Sequence, residues 1–150
     1  MDISVVLPCL NESETLSTCI KKANNQIKKL GIKGEIIIAD NGSDDGSIEI
    51  SKKLGARVIN VKNKGYGNAV RAGIKNAKGK YILIADADDS YNLNDLPKFY
   101  KKIKNGFDII QGCRLPKGGG KIINGAMPIT HKFIGNPLFS FLTKVLVYNL

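Results

Sequence analysis

The stretch YILIADADDSYN, residues 81–92, joins an apolar run to a cluster of acidic side chains. Its first part, Tyr81–Ala85, is apolar without alternation, which is typical of a strand buried on both faces. Three carboxylates then follow within four positions: Asp86, Asp88 and Asp89. Carboxylates this close repel one another and lose solvation at the end of a packed strand. We therefore expect a cation at this point of the fold.

The rest of the chain repeats the alternation of short apolar runs with helical patterns. Asn11 and Glu14 have the spacing of a capping box before the first helix, and Gly31 supplies its stop. The alternation predicts an α/β fold, with a mainly parallel sheet covered by helices on both sides. The predicted strands are Ile3–Leu7, Glu35–Ala39, Arg57–Val61, Tyr81–Ala85 and Asp108–Cys113, and the predicted helices are Ser13–Leu30, Ser47–Leu54, Tyr66–Ala77 and Asn94–Asn105.

Polar clusters follow three of the predicted strands, and ligands of such sheets bind at the carboxyl ends of the strands. The clusters are LPCLNES at 7–13, ADNGSDDGS at 39–47 and ADADDS at 85–90. The middle cluster has two interpretations. It is either a turn with a helix N-cap, or a loop that holds a base and ribose, with Asp40 as the recognising carboxylate.

A glycine-containing run, KGYGNAVRAG at 64–73, either cradles a phosphate at a helix N-terminus or is a flexible loop. It is not GxGxxG, because Val70 stands where the third glycine belongs. No GxxxxGK[ST] motif occurs in the sequence, which excludes a P-loop. The turn after the first strand, PCLNE, contains no glycine, and this counts against a dinucleotide-binding Rossmann domain.

The acidic cluster at 86–89 suits a divalent cation. Asp86 and Asp88 are hard oxygen ligands at spacing i, i+2, and Mg²⁺ or Mn²⁺ completes such a pair with water and substrate phosphates. The alternative is a helix N-cap cluster before the fourth helix. That alternative explains one acidic residue but not three.

Composition sets further bounds on the class of protein. The chain has 150 residues and a net charge of +10, with +3 in residues 1–90 and +7 in residues 91–150. The basic excess predicts either an anionic partner or a solvated lysine-rich surface. Cys9, Cys19 and Cys113 form no CxxC pattern, so neither a zinc site nor a disulfide framework is indicated. Neither a signal peptide nor a transmembrane helix is predicted.

Five motifs together resemble one family. They are VVLPCLNESETL at 5–16, IIIADNGSDDGS at 36–47, KGYGNAVRAGI at 64–74, GKYILIADADDSY at 79–91 and GCR at 112–114. The chain resembles family-2 glycosyltransferases of the GT-A (nucleotide-diphospho-sugar transferase) fold, a three-layer α/β/α sandwich. More narrowly, it is similar to dolichyl- or polyprenyl-phosphate sugar synthases and their prokaryotic relatives. The resemblance implies a hexosyltransferase that inverts configuration, uses Mg²⁺ or Mn²⁺, and moves a hexose from a UDP- or GDP-sugar to a polyprenyl phosphate.

The resemblance also implies roles for individual residues. Asp86 and Asp88 would be the DxD pair and the metal ligands, and Asp88, Asp89 and Arg114 would be catalytic, with the metal role of Asp89 open. The nucleotide-sugar would be bound by Pro8, Leu10, Asn11, Glu12, Asp40, Asn41, Ser43, Lys64, Gly65, Arg71 and Asp86.

The domain organisation that we expect is a nucleotide-sugar-binding core at 1–115 followed by a basic and apolar segment at 116–150. In relatives this second region meets the lipid carrier, so we expect it on the acceptor side or on an anionic membrane surface. Relatives usually continue beyond this point, so we expect a truncated protein, peripheral on the cytoplasmic face of the membrane. No nucleic-acid partner is expected, and a homo-oligomer is left open. The alternatives are a polysaccharide or glycan acceptor and a non-catalytic nucleotide-sugar-binding fragment, and the sequence names neither the sugar nor the base.

Overall fold

Strands and helices alternate along the chain in the computed structural model, which describes residues 1–113, residue 130 and residues 134–147. A 3-10 turn, Leu93–Asp95, precedes the fourth helix. The elements are β1 (Ile3–Cys9), α1 (Ser13–Lys29), β2 (Gly34–Asp40), α2 (Ser47–Lys53), β3 (Arg57–Asn60), α3 (Tyr66–Asn76), β4 (Tyr81–Ile84), α4 (Leu96–Lys104) and α5 (Asn136–Val147).

The four strands form one parallel sheet in the order β3-β2-β1-β4. All seven residues of the central strand β1 are buried, as expected of a strand covered on both faces. β1 pairs with β2 along its whole length, whereas its pairing with β4 ends at Val6↔Ile84. Pro8, which has no N–H, therefore lies where β1 has only one neighbouring strand.

Helices lie on both faces of the sheet, which confirms the predicted α/β sandwich. The edge strand β4 is not buried on both faces as predicted, because Ile82 and Ile84 are 41% and 43% exposed. On one face, alternate residues of β1 and β2 pack with the apolar side of α1 in a single core cluster. On the other face, α3 approaches the sheet closely at Gly73, where a Cβ would come within 2.3 Å of a Val6 methyl carbon. The glycine is thus required by close packing between helix and strand.

Two local predictions were wrong. The segment predicted as a fifth strand, 108–113, forms no strand, and the Ile109 side chain is 85% exposed. β-branched residues favour a strand only where a packing surface covers them, and Ile109 has none. The predicted capping box also does not form, because the residue before α1 is Glu12 and no side chain of its own segment caps the helix.

The chain divides into two units, residues 1–110 and 111–150. In the second unit, α5 carries exposed apolar side chains, among them Phe139, Phe141 and Leu146. In the part of the chain that the structure describes, no helix is both long enough and apolar enough to span a bilayer. Arg114, for which a catalytic role is predicted, lies outside the described residues.

Candidate functional site

The strand order directs attention to the carboxyl ends of β1 and β4. The chain winds from β1 outward to β3 and then returns to the other side of β1 as β4. The switch point, where the strand order reverses, therefore lies between β1 and β4. The last bond between them runs from the Ala85 amide to the Val6 carbonyl, 3.2 Å long. Beyond it the loops after β1 and β4 diverge, and such crevices are where open α/β sheets bind ligands.

Asp40 ends β2 and organises the loop that follows. Its side chain is 1% exposed, and its carboxylate accepts hydrogen bonds from the amides of Gly42 (3.0 Å) and Ser43 (3.2 Å). This is the turn-forming use of an aspartate. The carboxylate predicted to recognise the base is thus already bonded to its own loop, and its role in base recognition stays a prediction.

The same loop caps α1 from a distance. The Asn11 amide donates to the Ser43 hydroxyl, the Glu12 amide to Ser47 and the Ser13 amide to Asp45, at 2.9, 3.0 and 2.8 Å. Hydrogen bonds from the Ser47 hydroxyl and from the Ser13 and Ser47 amides hold the pKa of the Asp45 carboxyl well below its usual range. Residues 43–47 therefore accept hydrogen bonds from the free amides at the start of α1. This capping role was predicted for Asn11 and Glu14.

Asn41 connects this loop to the one that precedes α3. It is 4% exposed, and its Nδ2 donates to the carbonyls of Val61 (3.2 Å) and Asn63 (3.0 Å). Its Oδ1 accepts from the amide of Gly65 at 2.6 Å. Gly65 has φ +121°, a conformation that an L side chain rarely adopts, so both residues are required by the geometry of the loop.

Lys64 lies over the glycine of the neighbouring loop. A Cβ built on Gly42 would come within 2.8 Å of its Nζ. Gly42 and Lys64, with Asn41 beneath them, therefore belong to one continuous surface beyond the carboxyl ends of β2 and β3. Arg71 is exposed on α3, where it lines an open depression with Ala72, Ile74 and Lys75.

Asp86 lies between two buried alanines, Ala85 and Ala87, and is itself half-buried, whereas Asp88 follows the second alanine and is exposed. Asp86 Oδ1 accepts a hydrogen bond of 2.9 Å from the Tyr66 hydroxyl at the start of α3. This bond to Asp86, together with burial, raises the pKa of Tyr66 to about 12. Asp88 is exposed, and its Oδ1 accepts from the amide of Ser90 at 2.9 Å.

Asp89 faces a different direction from the other two carboxylates. It has φ +59°, and both of its carboxylate oxygens bind Lys22 Nζ on α1, at 2.8 and 2.7 Å. The hydroxyl of Thr15 and the thiol of Cys19, on the same side of α1, donate to the Ala87 carbonyl at 2.8 and 3.4 Å. Burial is the main cause that raises the pKa of Cys19 to about 11, so this thiol stays protonated and able to donate.

Sequence reasoning missed Thr15, Cys19 and Lys22. A signal was present, since all three interrupt the apolar face of α1 at spacings of four and three residues. What the spacing does not give is the partner, because the contacts reach residues 67 to 72 positions further along the chain.

Most of the predicted site residues lie at or just after the carboxyl ends of the strands. Pro8, Arg71 and Arg114 are the exceptions. Pro8 is buried inside β1, whereas Leu10 is 49% exposed in the loop that follows. Arg71 lies further along α3, and Arg114 is outside the described residues.

The described residues contain no group of three or more His, Cys, Asp or Glu side chains arranged to hold a metal ion. The donor set of Asp86 and Asp88 nevertheless fits Mg²⁺ or Mn²⁺ in one respect. These ions are commonly held by one or two carboxylates, with water and substrate phosphates completing the shell.

Comparison with known proteins gives a consistent result. The family model for Glycosyl transferase family 2 matches residues 4–145. A low-salt glycan biosynthesis hexosyltransferase of Haloferax volcanii is 39% identical over 145 residues, which are 96% of this chain and 33% of that protein. A dolichol-phosphate mannosyltransferase of Pyrococcus furiosus is 36% identical over 124 residues, which are 79% of this chain and 35% of that protein.

A solved structure extends the comparison to the fold. Glucosyl-3-phosphoglycerate synthase from Mycobacterium tuberculosis, in complex with Mn²⁺, UDP-glucose and phosphoglyceric acid, superposes with a TM-score of 0.61 and 25% identity. The match covers 70% of this chain and 40% of that one. The chain spans about a third to a half of the length of the curated relatives that it matches.

Proposed function

Because the chain belongs to glycosyl transferase family 2 and has the GT-A fold, we propose that it is part of a metal-dependent, inverting hexosyltransferase. The donor would be a UDP- or GDP-sugar and the acceptor a polyprenyl phosphate. Relatives named as a dolichyl-phosphate hexose transferase and a dolichol-phosphate mannosyltransferase support the acceptor. The complex of the mycobacterial synthase with Mn²⁺ and UDP-glucose supports the metal and the class of donor.

The observation that carries the proposal is the position of a half-buried Asp86 and an exposed Asp88 directly after the carboxyl end of β4. Both carboxylates follow a strand next to the switch point of the sheet, where a diphosphate would be expected. Asp86 and Asp88 would hold the metal, with Asp86 nearer the nucleotide. When bound, the metal would neutralise the negative charge that develops on the departing diphosphate.

The reaction needs little proton transfer from the protein. An oxygen of the acceptor phosphate attacks the anomeric carbon, the bond from that carbon to the diphosphate oxygen breaks, and the nucleoside diphosphate leaves with the electron pair. A phosphate is already an anion at neutral pH, so no general base is required. The roles proposed for this chain are therefore metal binding by Asp88 and neutralisation of phosphate charge by Arg114, while Asp89 acts through its ion pair with Lys22.

The nucleotide would occupy the loops that Asn41 connects. We assign the base and ribose to Asp40, Asn41 and Ser43, and the diphosphate to Lys64, Gly65 and Arg71. The loop before α1 would complete the pocket from the other side with Pro8, Leu10, Asn11 and Glu12.

The acceptor would approach from residues 116–150, the segment proposed to lie on the cytoplasmic face of an anionic membrane. The exposed apolar side chains of α5 support this, since an interfacial helix carries such residues on its buried face. An oligomer of this chain is compatible with the same surface.

A glycan or polysaccharide acceptor is the second candidate. The relative named as a low-salt glycan biosynthesis hexosyltransferase favours it. Nucleotide-sugar binding without turnover is the third, because the chain covers only part of its relatives' length.

The test measures the affinity of the chain for UDP and GDP by calorimetry, with and without Mn²⁺. We expect Mn²⁺ to tighten binding of one of the two by at least about tenfold, and Asp88→Asn to remove that gain. The asparagine keeps an oxygen for the Ser90 amide, so the melting temperature without ligand should stay within about 2 °C of the wild-type value. Asp108→Asn, at an exposed position outside the site, is the control.

The proposal is contradicted if Mn²⁺ leaves both affinities unchanged. A second assay follows transfer of labelled hexose from the UDP- or GDP-hexose of the preferred nucleotide to dolichyl phosphate or to an extracted glycan. It separates the two acceptors, and binding without transfer to either identifies the non-catalytic alternative.

A further inference from the structure

One side of α1 contacts residues 87–94, here called the acidic loop, at successive helical turns. Thr15 and Cys19 donate to the Ala87 carbonyl, and Lys22 binds Asp89. One turn further, Gln26, which is 6% exposed, donates from Nε2 to the Asn94 side chain at 2.8 Å. The loop from 87 to 94 is therefore attached to α1 over three turns of helix.

The point of attachment is significant because Ala87 lies between the two proposed metal ligands. Its side chain is 2% exposed and its carbonyl accepts two hydrogen bonds, so the backbone between Asp86 and Asp88 has little freedom. Ala87 and Asp88 form a turn after β4, in which Ala87 is buried, Asp86 is half-buried and Asp88 is exposed. Holding Ala87 in place therefore fixes the turn from which the two carboxylates on either side of it project.

The ion pair between Lys22 and Asp89 fixes the loop two residues beyond Ala87. The Nζ contacts both carboxylate oxygens, and the two side chains are 30% and 28% exposed, so the pair is only partly screened by water. Asp89 has a left-handed backbone, and its side chain reaches Lys22 on α1, whereas that of Asp86 reaches Tyr66 on α3.

We propose that Thr15 and Lys22 are positioning residues, which hold the acidic loop so that two carboxylates, and not three, are presented to the metal and the diphosphate. In this arrangement Asp89 acts through Lys22 and does not ligate the metal. The inference rests on the proposed function and assigns two residues of α1 to it.

The experiment uses two measurements on the same variants. The first is the affinity for UDP or GDP in the presence of Mn²⁺. Lys22→Met should weaken it by about three- to fivefold, the change that a partly exposed ion pair of this kind corresponds to. Lys22→Arg should keep the wild-type affinity, since arginine also binds both carboxylate oxygens. Lys21→Met, which removes the same charge from the exposed neighbour on α1, should leave the affinity unchanged.

The second measurement is amide hydrogen exchange of the peptide spanning residues 83–95, without metal or nucleotide. Lys22→Met and Thr15→Val should speed exchange there by about threefold or more, whereas Lys21→Met and Thr15→Ser should not. Melting temperatures should fall by no more than about 4 °C in every variant, which separates positioning from general destabilisation.

The outcomes distinguish this inference from the proposed function. If wild-type protein shows no Mn²⁺-dependent nucleotide binding, the proposed function fails, and hydrogen exchange still decides whether α1 orders the loop. Unchanged exchange in Lys22→Met and Thr15→Val overturns the positioning role. Tighter metal-dependent binding in Lys22→Met overturns it too, because that would identify Asp89 as a ligand that Lys22 withholds.

Discussion

Replacing Asn41 by aspartate tests whether one buried amide connects the loops of the site. The two side chains have nearly the same shape, and the change keeps an oxygen for the Gly65 amide. It replaces the Nδ2 donor by an oxygen that faces the carbonyls of Val61 and Asn63. Two hydrogen bonds of about 1 kcal/mol each are lost, and a buried carboxylate is left against two carbonyl oxygens. We expect a total destabilisation of about 3–4 kcal/mol at pH 7.

The pH dependence gives this prediction a second, independent check. Burial against carbonyl oxygens should raise the pKa of the introduced carboxyl in the folded state above its unfolded value. The destabilisation is then complete above the folded-state pKa and shrinks as the pH falls toward the unfolded value, about 4. Below that, the carboxyl is protonated in both states and can donate to one of the two carbonyls.

Urea unfolding of Asn41→Asp at pH 7 and near pH 4 measures both effects. Asn24→Asp, the same change at an exposed position of α1, is the matched control and should cost less than about 0.5 kcal/mol. A destabilisation below about 1 kcal/mol at pH 7, or one that grows toward pH 4, would refute the role of Asn41.

Two further predictions concern the amino ends of the strands, opposite the candidate site. In Gly79→Ala, the new Cβ would lie 2.4 Å from the backbone of Ile3 and Ser4, so the turn must move and break the 2.8 Å bond from its amide to the Ser4 hydroxyl. We expect a loss of about 2–3 kcal/mol in urea unfolding, and a loss below about 0.5 kcal/mol would contradict the close approach. Burial raises the pKa of Glu35, but hydrogen bonds from Ser4, Arg57 and the Lys78 amide together lower it below its ordinary value. Its contribution to stability is therefore present at neutral pH and is lost as the pH falls through the folded-state pKa. Wild type should be more stable than Glu35→Gln at pH 7, and the difference should narrow near pH 3; a constant difference across this range would be evidence against the shift.

The elements that the sequence predicted correctly are those whose pattern is local. The strands β1 to β4 begin and end within two residues of their predicted bounds, and α1 to α3 do so within one. The helix expected over Asn94–Asn105 is divided into a 3-10 turn and α4. Buried strands and amphipathic helices are specified by the apolar residues of their own segment, which is why a single sequence contains the information.

The errors and omissions share one physical cause. The fifth strand was predicted from β-branched residues, but a strand needs a neighbour and a covered face, and Ile109 has an exposed one. The cap of α1 was assigned to its own segment, although the acceptors come from residues 43–47. The order of the strands, which creates the switch point between β1 and β4, was not predicted at all.

The sequence by itself determined the family, the parallel α/β architecture and the edge of the sheet at which polar side chains gather. These follow from local periodicity and from motifs that keep their order along the chain. The tertiary structure alone decided how exposed each of the gathered side chains is and which distant partner it binds. Asp40 bonds its own loop and Asp89 bonds Lys22 on α1, whereas Asp86 bonds Tyr66 at the start of α3 and Asp88 is exposed next to the buried Ala87. The bonds of Asp86 and Asp89 join residues 20 and 67 positions apart in the chain, and such bonds form only when the packed sheet brings their partners together.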